Sequence, residues 1–181
     1  IAGMAAGGAI KKIYELGAAF EYTTVYVQAL ADTLSTMNAD TISSSLLDIE
    51  GLRKGPQELA EGMKEFAKAG DDAAMTIGHI AEMSKFATIA EIGLGDASKL
   101  VICQTKAFGN SYSETSNMIS AASLSSATSI EEMGNAMSYT TELATVSKIK
   151  FNEVATAMAI MANAGIRGSK AGTALRTSVL K

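Results

Sequence analysis

The chain has 181 residues, 48% of them hydrophobic and 19% charged, with a formal net charge of −4. That is long enough for a domain with its own core and too apolar for intrinsic disorder. It lacks the lysine or arginine stripe that counterion release requires, so tight sequence-specific nucleic-acid binding is not expected.

In chain order, Ile1 to Ile10 is apolar and uncharged and is followed by Lys11 and Lys12. A spanning helix needs about 20 apolar residues, and a signal peptide carries its positive charge before the apolar run rather than after it. Ile13, Leu16, Phe20, Val27 and Leu30 recur at helical spacing and predict a helix over about Ala9 to Leu34. Ile42, Leu46, Ile49 and Leu52 predict a second, over Ala39 to Arg53, that ends at Gly55. Pro56, the one proline, suits the first turn of a third helix, where its missing N–H is not needed. That helix carries Leu59, Met63 and Phe66 and stops at Gly70. Asp71 and Asp72 are candidate caps for a fourth helix carrying Met75, Ile80, Met83 and Ala87.

Gly93 and Gly95 are expected to break the pattern, and Asp96 to cap a fifth helix running to Phe108. Gly109 to Ser113 reads as a polar turn before a sixth helix with Met118, Ile119 and Ala122. Ser129 and Glu132 have the spacing of a capping box for a seventh. An eighth covers Phe151 to Ala164, with Val154, Met158 and Met161 on one side. Gly165 is its expected left-handed terminator, followed by Ile166 as the apolar contact. A last helix is predicted to begin near Ser169. The fold class read from this pattern is all-α, an array of amphipathic helices joined by short glycine turns, expected to be elongated and oligomeric. Ten methionines, 6% aromatics and no Trp mean that Ala, Met, Leu and Ile must supply most of the core.

Residues able to do chemistry are few. His79 is the sole histidine, which removes paired-histidine zinc motifs, and no G-x-S-x-G accompanies it. Near Ile77 and Ile80 it reads as a surface or boundary helical residue. Cys103 is the one cysteine; its neighbours Val101 and Ile102 make it an expected buried small hydrophobe. Glu61 and Glu65 share a helical face with Lys64 and Lys68 nearby, the pattern of a solvated surface rather than a catalytic carboxylate pair. The segment from Gly165 through Gly168, Ser169 and Lys170 to Gly172 resembles a phosphate loop only superficially. A P-loop needs Gly-Lys-Ser/Thr after a strand, and here the order is Gly-Ser-Lys after a helix. The reading is a structural joint: Gly165 ends one helix, Gly168 shapes the turn, Ser169 caps the next helix, and Gly172 leaves a flat face for close packing. No catalytic residue, no metal ligand and no cofactor-binding residue is expected.

The same joint carries a family resemblance. The run Ala162-Asn163-Ala164-Gly165-Ile166-Arg167-Gly168-Ser169-Lys170-Ala171-Gly172-Thr173-Ala174-Leu175-Arg176 resembles the signature of the phage tail tape measure core domain, an Ala-Gly-Ile turn followed by a Gly-Ser-x-Ala-Gly-Thr-Ala-Leu-Arg helix. Upstream pieces fall in the family's order: Phe66-Ala67-Lys68-Ala69-Gly70, Ala107-Phe108-Gly109, and Ser125 to Thr128 before Ile130. The likeness runs from about Pro56 to Lys181 and departs at Lys150, where the family often carries a Ser or Thr cap. The expected division is a helical segment over 1–55 and a core-like helical domain over 56–181. A chain that starts on Ile and stops inside a helical pattern is expected to be a piece of a much longer one.

The resemblance implies a structural, non-enzymatic segment in the virion tail, in the tube lumen or at the tip, or in a related tail-like particle. Such a protein sets tail length during assembly and is released during injection of genome or effector. The implied partners are further copies about a three-fold or six-fold axis, tail tube proteins, and tail-tip or baseplate hub proteins, with no specific nucleic-acid binding and a possible transient membrane contact. The alternative is a membrane-active helical protein forming a channel for DNA entry, motivated by Ile1 to Ile10 and a mean hydropathy of +0.18. A wall hydrolase lacks a recognisable site.

Overall fold

A computed structural model describes Ala18 and residues 55–71 and 73–180. The two helices expected before Gly55, and the apolar start of the chain, lie outside the described residues.

Among the described residues eight helices follow one another: α1 Pro56–Ala69, α2 Ala73–Ala90, α3 Leu94–Phe108, α4 Tyr112–Leu124, α5 Ile130–Ser138, α6 Thr141–Val146, α7 Phe151–Asn163 and α8 Gly168–Val179. No strand occurs among the described residues. The fold is all-α, as the periodicity requires. None of the described helices is long and apolar enough to cross a membrane.

The chain forms two compact units. The described part of the first comprises α1, residues 73–85 and residues 93–99; the second comprises residues 86–92 and 100–180. In the first unit Leu59, Met63 and Phe66 form the buried stripe of α1, and Ile80, Met83 and Leu94 are equally buried. Gly62 lets α1 approach closely, since a Cβ there would lie 2.8 Å from Leu94 Cγ and 2.9 Å from Ile80 Cδ1. The second unit buries Val101, Ile119, Met133, Met137, Phe151, Val154 and Met158. The apolar stripes of α1 and α7 are therefore consumed inside the chain, with only Met161 of the α7 set half-exposed. Met75 of α2 faces solvent.

Four of the described helices end in the same motif, in which a left-handed residue just beyond the helix donates to a carbonyl three back and the residue after it donates to one five back. The left-handed residues are Gly70 (φ 94°), Glu91 (φ 56°), Lys148 (φ 58°) and Gly165 (φ 83°). The long bonds are Asp71 N–H to Phe66 O, Ile92 to Ala87, Ile149 to Ala144 and Ile166 to Met161. The expectation of glycine turns thus holds at two of these ends, whereas Glu91 and Lys148 occupy the other two.

Several boundaries correct the reading from sequence. The break near Gly93 is made by Glu91, and α3 resumes at Leu94 with Gly95 inside it and Asp96 in its first turn rather than as its cap. Gly95 is tolerated in the helix because Glu61 comes close: a Cβ would meet Glu61 Cβ at 3.3 Å. The polar turn is shorter than expected, since Ser111 caps α4 through a capping box with Glu114. The box predicted at Ser129 and Glu132 forms at α5, with Glu132 N–H on Ser129 Oγ at 3.0 Å and Ser129 N–H on Glu132 Oε2 at 3.3 Å. Helix α6 was not foreseen; at six residues it is too short to show a period. At Lys150 the missing Ser or Thr is half-replaced by Glu153, whose carboxylate accepts the Lys150 N–H at 2.8 Å. Ser169 does not cap α8, which begins one residue earlier, with Arg167 in the N-cap position and no side-chain cap.

Candidate functional site

The joint predicted at Gly165, Gly168 and Gly172 is built from α5, α7 and α8. Helix α5 buries Ile130, Met133, Ala136 and Met137, spaced three and four apart. Helix α8 offers Ala171 and Gly172 as its buried residues. Small residues on both sides allow the backbones to touch. A Cβ on Gly172 would fall against the Ala136 carbonyl oxygen and lie 2.9 Å from Tyr139 Cβ. The obstacle is backbone, which cannot swing away as a side chain can, so only glycine fits.

The other two glycines do a different job. Gly165 is left-handed at φ 83° and Gly168 at φ 54°, and a Cβ on either would meet nothing within 4 Å. Their requirement is conformational, not spatial. Ile166, expected to make the apolar contact of the turn, is 40% exposed. The outer face of α8 turns its hydroxyls back on the helix: Thr173 Oγ1 donates to Ser169 O and Thr177 Oγ1 to Thr173 O. Lys170 and Arg167 are exposed. The segment from α7 to α8 is a helix–turn–helix with a left-handed glycine on each side of Ile166 and Arg167.

Polar ties unforeseen from sequence brace the same unit. Gln104, 2% exposed, accepts from Thr141 Oγ1 at 2.9 Å. Thr105 Oγ1 donates to Thr115 Oγ1 at 2.9 Å. Asn163 Oδ1 accepts the Ala127 N–H at 2.9 Å, holding the end of α7 to the serine-rich turn after α4. Hydroxyls and amides of this kind leave no periodic signal in a sequence, because their partners lie up to 37 positions away.

The candidate reactive groups are placed as follows. His79 Nδ1 lies 2.9 Å from Asp71 Oδ2, and its ring centroid is 5.3 Å from that of Phe66. It is half-buried at the α1–α2 turn, a boundary residue as its neighbours suggested, and it clips that turn. Cys103 is exposed, contrary to the expected burial. Each helical residue is rotated about 100° from the last, so burying Val101, Ile102 and Gln104 leaves Cys103 on the outside. The Glu61 and Glu65 face is solvated, with Lys68 Nζ on Glu65 Oε1 at 2.6 Å. Among the described residues no group of three His, Cys, Asp or Glu side chains is placed to hold a metal. Glu114 is held below the usual carboxylate range by the Ser111 backbone N–H and hydroxyl that donate to it.

A family model described as "Phage-related minor tail protein" matches residues 48–181. A protein of Pneumococcus phage Dp-1 named "Tape measure protein" is 28% identical over 123 residues, covering 66% of this chain. This chain spans 11% of the length of that relative. No solved structure matches.

Proposed function

The chain belongs to the phage-related minor tail protein family, and from that premise we propose that it is a structural, non-catalytic segment of a tail tape measure protein housed in the virion tail. The observation that carries this reading is the family match over residues 48–181, which includes the whole Gly165–Gly172 joint. In this reading residues 56–181 form the core-like domain and residues 1–55 a separate helical segment. The domain self-associates about the tail axis, contacts tube and tip proteins, and leaves with the rest of the protein at injection.

The described helices favour an end domain near the tail tip over a stretch of the ruler. Length measurement needs extended helix at about 1.5 Å per residue. The longest helix here has 18 residues, and turns interrupt the chain at every subsequent step. Deleting residues 56–181 from the full-length protein separates the two roles. A ruler segment gives intact tails shortened by roughly 190 Å, the length of that many residues in helix. An end domain gives tails that fail to initiate, or particles that cannot eject, and tails uniformly shortened by that amount with normal infectivity would overturn the proposal.

A further inference from the structure

A hollow of about 430 Å³ lies where the end of α3, α4 and the α6–α7 turn meet. Its apolar part includes Phe108 and Phe151, with ring centroids 5.1 Å apart, and Met118. Lys148 and Lys150 are exposed residues lining it, and no carboxylate does. Glu153, next along α7, is engaged with the Lys150 backbone N–H.

Two further features are costly to the fold unless something uses them. Asn110 lines the hollow, and its amide Nδ2 is buried with no hydrogen-bond partner. Buried unpaired donors are rare and destabilising. Lys148 holds φ 58° in a turn whose hydrogen bonding matches that of the Gly165 turn, where glycine relieves the strain. Backbone strain kept at a residue that lines a cavity points to function.

We propose that this hollow is a docking site for an acidic peptide segment of a partner protein, which seats an aromatic or large aliphatic side chain against Phe108, Met118 and Phe151 and sets its carboxylates against Lys148 and Lys150. The positive lining without a counter-charge selects an acidic partner. The size and apolar floor select a side-chain anchor over a polyanion backbone, and two lysines on a chain of net charge −4 are too few to hold nucleic acid. The chemistry that this hollow takes does not depend on where in a tail the chain sits.

The test is amide NMR on the whole 181-residue chain, titrated with acetyl-Asp-Glu-Phe-Glu-Asp-amide, with its glycine-centred analogue, and with a single-stranded oligonucleotide. Saturable shifts are expected at the Asn110 side-chain amide and at the backbone amides of Ile149 and Asn152 with the phenylalanine peptide. The glycine-centred peptide should bind about tenfold more weakly for want of the anchor. The double variant Lys148→Ala, Lys150→Ala should lose about tenfold in affinity, the equivalent of one charge-assisted contact. Lys148→Gly should raise the melting temperature by about 2–4 °C while weakening binding, a pairing of effects that a purely structural lysine would not give. Absence of saturable shifts with the phenylalanine peptide overturns the proposal, as does undiminished affinity in a folded double variant. Equal response to the glycine-centred peptide or the oligonucleotide also overturns it, in favour of a nonspecific anion patch.

Discussion

The turn at Gly165 and the turn at Lys148 have the same hydrogen bonds and opposite economies of design. Both close a helix with a left-handed residue, a long bond from the residue after it and a short bond from itself. At Gly165 the residue is the one that L-amino-acid sterics favour. At Lys148 a side chain is retained at φ 58° beside a cavity. Backbone geometry alone therefore does not choose the residue at a turn. The first turn is shaped only by the fold, since nothing lies within 4 Å of where a Gly165 side chain would start. The second holds a lysine in the same left-handed region, beside a cavity that it lines.

The largest effect that would sharpen this contrast is expected two turns of chain beyond Gly165. Gly172→Leu pushes a branched side chain into the Ala136 carbonyl and should cost about 3 kcal/mol, at the upper end of overpacking penalties because backbone must move. Chemical denaturation measures it; wild-type stability would show that α8 can slide along α5 freely and that no joint exists. Next comes Gly165→Val, which meets no atom but forces a β-branched residue to φ 83°, with an expected loss of about 1–3 kcal/mol. Arg167→Ala and Lys170→Ala, at exposed positions of the same joint, should each stay within about 0.5 kcal/mol of wild type. Thermal melts that reverse this order would identify the joint as a binding site.

A smaller effect of opposite sign is expected at the non-glycine turns. Lys148→Gly and Glu91→Gly should each stabilise the chain by about 1 kcal/mol through relief of left-handed strain. If Lys148→Gly destabilises, the lysine is there for the fold, and the contrast between the two turns fails. The smallest effect belongs to the Ser111–Glu114 box. The Glu114 carboxyl is held below its ordinary range in the folded chain, so its contribution is fully present above the unfolded-state value. It is lost as pH falls through the lowered folded value. A pH titration comparing wild type with Glu114→Gln should show the two converging in acid; a gap that is constant across that window would show that the carboxylate charge plays no part.

How far the sequence could be read is best seen residue by residue. Ser129 and Glu132 were legible as a cap because both partners lie within one turn of chain. Gly165 was legible because positive φ restricts residue choice. Ser111 and Glu114 have the same spacing, but the neighbouring Gly109 is the more conspicuous turn signal. Lys148 was hidden because lysine carries no mark of a left-handed turn. The exposure of Cys103 does not follow from its apolar neighbours, because a helix turns successive residues to different sides.

Legible in the sequence alone are the helical character of the described chain, the start and stop of most of its helices, and the tail protein family that its final joint resembles. These properties rest on interactions within a few residues, namely periodic apolar faces, caps and conformational restrictions on glycine. Packing between helices is what sets Gly172 against the Ala136 carbonyl, ties Gln104 to Thr141, and makes Phe108, Asn110, Met118, Lys148 and Phe151 line one hollow. These residues are brought together by burial of α-helical faces against one another, a non-directional force whose partners are fixed by how whole helices pack and not by any spacing along the chain.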